Sequence, residues 1–194
     1  MTMKNPVALP RLFILLVAVC LFLACGLIAE EQEKQSAKDD VQGWRSARWG
    51  MTEEEVLAAF PNEAKRLEKP EKYGIVIATV GIKKLQVAGS DFVVHFSFDT
   101  EKKRLKQVNL KPDPASKSLN VMLPTLERDL TEKYGKPDFA SNQAPRVAGM
   151  KVMTRSWKKG ATRIELKYVY DPDTNFELLI VAYRPVSASG DKNL

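Results

Sequence analysis

The sequence predicts an α+β fold, in which two helix-plus-β-hairpin repeats form antiparallel sheet covered on one face by helices. Three observations predict it. Thr162, Ile164, Leu166, Tyr168 and Tyr170 alternate with Arg163, Glu165 and Lys167, the two-residue period of a strand with one buried face. A turn at Asp171-Pro172-Asp173-Thr174-Asn175 leads into an apolar strand from Phe176 to Tyr183. The same pattern runs about 72 residues upstream: Phe92, Val94, Phe96 and Phe98, then Asp99 to Lys103, then Leu105 to Leu110 and Lys111-Pro112. Each hairpin is also preceded by a helical stretch. The repeats are expected over about 44–112 and 113–186, in one α+β domain.

Taken in order, Thr52 to Glu55 has the spacing of a capping box, with Met51 and Val56 at the two positions of a hydrophobic staple. Glu53, Glu54 and Glu55 also oppose the helix dipole favourably. A helix therefore starts here, with Val56, Leu57 and Phe60 as its apolar face, and ends near Pro61. The charged stretch 63–72 reads as a loop or a further helical turn. Tyr73 to Val80 is β-branched and continuous, a strand, and Lys84 to Ala88 is a second, weaker one. Between Leu105 and Val108 the alternation slips by one residue, which predicts a bulge or a frayed edge.

Pro112-Asp113-Pro114 breaks the chain, and Ser116 or Ser118 can cap a second helix. Leu119, Met122, Leu123, Leu126, Leu130 and Tyr134 recur at three and four residues, the stripe of a helix lying on a sheet. Gly135 is the natural C-terminal cap. Residues 139–149 read as loop. Lys151 to Trp157 then makes a hairpin through Lys158-Lys159-Gly160 into the Thr162 strand, and 187–194 reads as a tail.

Lys4 and Arg11 flank an apolar run from Leu12 to Ala29, the charge order of a secretory signal. Three outcomes fit it: cleavage after Ala29, lipid attachment at Cys25, or retention as an anchor, since about 18 apolar residues just span a bilayer. Phe22-Leu23-Ala24-Cys25 resembles the bacterial lipoprotein cleavage box. The expected location is therefore the periplasm, free or held at the membrane. Both cysteines, Cys20 and Cys25, lie in this leader, so the exported body has no disulfide, thiolate-zinc site or cysteine nucleophile. Residues 30–43 are polar, without aromatics, and read as a tether. The leader carries +2 and the tether −3, which leaves +7 on the chain from Trp44 onward. Such a balance suits anionic lipid headgroups or acidic proteins; nucleic acid is not an expected partner of an exported chain.

The one histidine, His95, faces away from the phenylalanines and has no second histidine or cysteine to work with, so it reads as a surface strand residue. Asp171-x-Asp173-x-Asn175 has three ligand positions of a calcium loop without its glycine or distal glutamate, and it sits where a tight turn is needed. No nucleophile elbow, phosphate loop or His-Glu-x-x-His is present. The expectation is no catalytic residue, no metal and no cofactor. The candidate binding residues are Lys151, Met153, Arg155, Trp157, Arg163 and Lys167, a mixture of cations, sulfur and indole seen where partners dock, with Lys102, Lys103, Arg104 and Lys106 in the equivalent hairpin. The competing reading is that these lysines protect sheet edges from aggregation.

The phrase Trp49-Gly50-Met51-Thr52-x-x-Glu55-Val56, leading into a short helix and antiparallel strands, is similar to outer-membrane assembly lipoproteins of the SmpA type. Tyr134-Gly135-Lys136-Pro137 at the end of the second helix adds to that similarity, and the doubled plan resembles the β-lactamase inhibitory protein fold. These resemblances imply envelope scaffolding or inhibition. The functional expectation is an exported, non-catalytic binding or scaffold protein of the bacterial cell envelope, whose partner is an envelope protein or an anionic envelope surface. A periplasmic small-ligand or lipid carrier, with its cavity between helices and sheet, is the alternative, and an enzyme comes third.

Overall fold

The computed structural model describes residues 42–115, 118–142 and 149–186. The leader with Cys25, most of the tether, Ser116 and the tail lie outside the described residues. A short antiparallel pair, β1 (Gly43–Trp44) and β2 (Ala47–Arg48), opens the chain, so the tether gives way to structure one residue earlier than expected. Helix α1 (Glu53–Ala59) comes next. Its capping box is complete: Glu55 N donates to Thr52 Oγ1 at 3.2 Å and Thr52 N to Glu55 Oε2 at 2.7 Å.

Then come β3 (Ala64–Tyr73), β4 (Val76–Val87), β5 (Ser90–Asp99) and β6 (Leu105–Pro112). After helix α2 (Leu119–Tyr134) come β7 (Phe139–Ser141), β8 (Lys151–Lys159), β9 (Thr162–Asp171) and β10 (Phe176–Pro185). Together β3 to β10 make an eight-stranded sheet in the order β3-β4-β5-β6-β10-β9-β8-β7, with every neighbouring pair antiparallel. The class is α+β with sheet predominant. Two four-strand meanders meet where β6 pairs with β10.

Several expectations are corrected by this order. The charged stretch expected as loop or helix is edge strand β3. An edge strand needs only one hydrogen-bonded side, so Lys65, Arg66, Glu68, Lys69 and Pro70 are tolerated, and Pro70 falls within the register shift between Arg66 and Glu71. The strand expected from Tyr73 to Val80 is divided, because Tyr73 closes β3 and Gly74-Ile75 turn the chain; from Val76 it continues through the second expected strand as β4, bent by shifts at Thr79 and at Lys83-Lys84. Part of the loop expected over 139–149 is the short edge strand β7. The slip at Lys106 is present as a bulge. Ser118 stands at the N-cap of α2, but its hydroxyl donates to Asn120 Oδ1 rather than capping the helix.

Both helices pack on the sheet face that carries Phe92, Val94 and Phe96. Met122, Leu126, Leu130 and Tyr134 from α2 and Val56 from α1 join Leu110, Ile164, Leu166, Leu179 and Val181 in one core. The space between α1 and the sheet is filled by rings: Trp44, Phe60, Phe96 and Tyr183 approach one another at 5.4–6.4 Å between centroids. A carrier's cavity is expected between helices and sheet; on the α1 side aromatic packing occupies that space.

Candidate functional site

The predicted docking residues do not share a surface. Register places Lys151, Met153, Arg155 and Trp157 on the helix-covered face, opposite Tyr170, Tyr168, Leu166 and Ile164. Arg163 and Lys167 alternate with those partners and point to the other face. Trp157 has 0 % of its surface exposed, and its Nε1 donates to the carbonyl of Gly135 at 2.8 Å. It closes the C-terminal end of α2, whose last carbonyls need a donor. Arg155 is drawn inward as well: Nε donates to Glu127 Oε1 on α2 at 2.5 Å, and its NH1 donates to the carbonyls of Ser141 and Thr154. The indole and guanidinium therefore hold the second helix on the sheet, which is a structural use of the residues expected to bind a partner.

The opposite face holds a cluster that no sequence motif marks. His95 is 7 % exposed, not a surface residue, because the side chains of Tyr73 and Glu71 on β3 reach across β4 to its ring. Tyr73 Oη lies 2.9 Å from His95 Nδ1 and also donates to Glu71 Oε2 at 2.8 Å; the same oxygen accepts from Lys111 Nζ at 2.7 Å and stands 3.4 Å from His95 Nδ1. The Lys111 ammonium sits over the Tyr73 ring, 5.4 Å from its centroid. Gly81 makes this approach possible. A Cβ there would meet Val94 O and Leu67 Cδ2 at 2.8 Å and His95 Cδ2 at 3.4 Å.

Burial pushes the His95 pKa down; Glu71 pulls it up and Lys111 reinforces the fall, leaving the imidazole neutral near pH 7. Burial opposes the Glu71 charge, but Lys111, Tyr73 and His95 together hold its carboxyl below the usual range. Tyr73 is pushed up by burial and by Glu71, so its hydroxyl keeps its proton. Around them the face is polar and closed. Ser97, Gln107 and Asn109 are buried; Gln107 bridges Arg184 and Asn109, while Ser97 Oγ and Asn109 Nδ2 have no hydrogen-bond partner among the described residues.

Beside this cluster a cleft of about 660 Å³ opens at the junction of the two meanders. The cause lies in the register: β6 and β10 pair only from Val108–Leu110 to Val181–Tyr183, after which Lys111 to Pro114 runs beside β5 while β10 stays with β9. Glu71, His95, Lys111, Asp113 and Glu177 supply its charge and polarity, and Val93, Leu119 and Leu178 its apolar wall. Glu177 accepts from Tyr168 Oη at 2.7 Å, and Asp113 accepts from Ala115 N at 2.8 Å, so each keeps an oxygen to offer. Three carboxylates against one ammonium favour a ligand that presents hydrogen-bond donors or positive charge. The volume falls within the ordinary range for small-molecule sites.

The aspartate-rich turn before Glu177 is held by its own groups. Asp171 accepts from Asp173 N at 3.0 Å and Thr174 Oγ1 at 2.7 Å, the hydrogen bonds of a turn. Among the described residues no cluster of three His, Cys, Asp or Glu side chains is arranged to hold a metal ion. No described helix is long and apolar enough to cross a membrane.

Neither a curated protein nor a solved structure matches this chain. One family does, over residues 42–187, which take in β1 through β10 and the whole of the cleft. The chain belongs to the TP0088 domain family.

Proposed function

We propose that this chain is an exported, non-catalytic binding protein of the bacterial cell envelope, and that the cleft between Lys111–Pro114 and 175–179 is its ligand site. The observation that carries the binding reading is the cleft itself, open at the seam of the sheet and lined by mixed charge and apolar surface. Its non-catalytic character is supported by the way the reactive groups engage one another: Glu71 is taken up by Lys111 and Tyr73, and the imidazole by Tyr73. The envelope reading is supported by the leader, whose Lys4, Arg11 and apolar run precede the domain.

The seam also favours a tandem origin, two copies of a helix-plus-four-strand unit. Asp99 and Asp171 each end a strand and fold the next turn with a side-chain oxygen, Asp99 accepting from Lys102 N and Asp171 from Asp173 N. Four residues after each aspartate a non-glycine residue adopts positive φ, Lys103 at 52° and Asn175 at 52°. In such a plan the cleft lies where the copies join.

Native mass spectrometry of the chain isolated from its own envelope tests the reading. A bound small mass is expected, and Leu178→Trp, which fills the cleft wall, should remove it while circular dichroism stays unchanged. A bare mass, or an adduct indifferent to that substitution, would overturn the assignment.

A further inference from the structure

The topology sorts charge along the strands. At one end of the sheet lie the β3–β4 tip, the β5–β6 turn and the β8–β9 turn, because Val76 is level with Asp99, Phe98 with Leu105, and Lys159 with Thr162. These three turns carry Lys72, Lys102, Lys103, Arg104, Lys158 and Lys159. Four acids share this end: Asp99 folds its own turn, Asp138 accepts from Lys158 N at 2.6 Å, Glu55 stands 3.9 Å from Arg104 NH1, and Glu101 is exposed, so six cations against four acids leave the rim net positive. The other end carries Asp113, Asp171, Asp173 and Glu177. Lys84, paired with Asp91, and Lys111 and Lys151 also lie towards that end, so the sorting is one of balance: cations outnumber acids on one rim and acids outnumber cations on the other.

Two further observations belong to the basic rim. Ile75, at the tip of the β3–β4 hairpin, is 87 % exposed, the highest among the described large apolar residues. The chain also enters the domain here. Gln42 O accepts from Trp49 N, Trp49 Nε1 donates to Thr162 Oγ1 at 2.9 Å, and Gly50 N donates to Leu105 O at 3.1 Å; Thr162 and Leu105 open strands at this end. The leader therefore joins the domain beside the cations. The tether between Ala29 and Gln42 reaches at most about 40 Å when extended.

We propose that the basic rim is a docking surface for an anionic phospholipid bilayer, with Ile75 entering the interface and the acidic end, including the cleft, held away from the membrane. Charge complementarity selects the surface, since each lysine or arginine near an anionic leaflet strengthens attachment about fivefold. An exposed aliphatic side chain at the apex of a hairpin, flanked by cations, suits a headgroup boundary. The first described residue, Gln42, stands beside this rim, which accords with a bilayer on that side. The proposal rests on the envelope reading for the presence of a membrane and is independent of what fills the cleft.

The test is amide hydrogen exchange of the full chain on vesicles of phosphatidylcholine, with and without phosphatidylglycerol. The leader, with Lys4 and Arg11, is the same in the parent and in a rim variant carrying Lys102→Glu and Lys103→Glu, so the difference between those two chains on anionic vesicles reports the rim. Exchange over 72–76, 100–106 and 158–162 should slow about tenfold only on the anionic vesicles and recover in 0.5 M salt, where screening shortens to a few ångströms. The 86–91 and 172–175 turns should not respond. The pair Lys102→Glu and Lys103→Glu, both exposed, should abolish the protection with the far-ultraviolet circular dichroism unchanged. Equal exchange on both vesicles, or protection of the acidic end, would overturn the proposal. Rim protection in a chain whose cleft proves empty would leave it standing and would count only against the ligand site.

Discussion

Replacing Trp157 by phenylalanine separates a docking residue from a structural one. The indole is fully buried against α2, and its Nε1 donates to Gly135 O at 2.8 Å. Phenylalanine keeps a ring but removes that donor. Gly135 is itself exposed, so water can replace the lost donor and the hydrogen bond is worth about 0.5–1.5 kcal/mol; the smaller ring gives up further buried contact, and full truncation to alanine at such a site costs about 3–5 kcal/mol. A loss of about 2–3 kcal/mol is expected for Trp157→Phe. A domain of this size loses about 2–4 °C per kcal/mol, so the melting temperature should fall by roughly 5–10 °C. Urea unfolding monitored by fluorescence of the remaining Trp44 and Trp49 gives the free energy, and an unchanged m value shows that the same surface is exposed on unfolding. A change below about 0.5 kcal/mol, the range of ordinary surface substitutions, would refute the reasoning. A one-residue slip in the β8–β9 register would turn this indole outward, so the result tests the register too.

Other outcomes are set by the same contacts. Thr52→Ala removes the acceptor for Glu55 N and should cost about 1 kcal/mol, readable in the same urea titration. Gly81→Ala places a methyl group against Val94 O and beside His95, and should shift the His95 imidazole resonance as well as lower the melting temperature. The pKa of His95 lies below its ordinary value in the folded chain, so the unfolded chain binds that proton first as pH falls. Stability contributed by the neutral imidazole is present above about pH 6.5 and is lost on acidification towards the folded pKa. Glu71 has the depressed pKa of a paired carboxylate, and its contribution is lost at lower pH, below the ordinary glutamate range. Thermal melts of the parent against His95→Gln should therefore diverge between pH 7 and 5, the parent losing more stability; parallel curves would contradict the assignment.

The two helices were legible because their signals are local. The spacing from Thr52 to Glu55, the stripe from Leu119 to Tyr134 and the cap at Gly135 each lie within one short window. The β5–β6 and β9–β10 hairpins were legible for the same reason, through the alternation of Phe92 to Phe98 and of Thr162 to Tyr170. Strand β3 was not, because an edge strand built of lysine, glutamate and proline lacks the apolar period that marks a strand with a buried face. Missing β3 hid Glu71 and put Tyr73 at the head of the next strand, and without them His95 had no partners. The polar row of Ser97, His95, Gln107 and Asn109, alternating with core residues on adjacent strands, was the signal that could have marked the site. The candidate docking residues are divided between two faces for a different reason. Lys151 to Trp157 and Arg163 to Lys167 lie on paired strands, and only the register, which brings Trp157 opposite Ile164, shows that the two sets point to opposite faces. The cleft depends on where β6 leaves β10, a pairing between residues about 70 apart that no local pattern encodes.

The chain has a single histidine, and it lines the cleft, so one imidazole reports on the site without further assignment. The most direct measurement is the nitrogen-15 and proton spectrum of His95 in the chain as isolated from its envelope, compared with the same chain unfolded, stripped and refolded. A cleft that holds a ligand predicts different imidazole resonances in the two preparations, returning to one another when the stripped material is added back. Superposable spectra would contradict a ligand site at the seam.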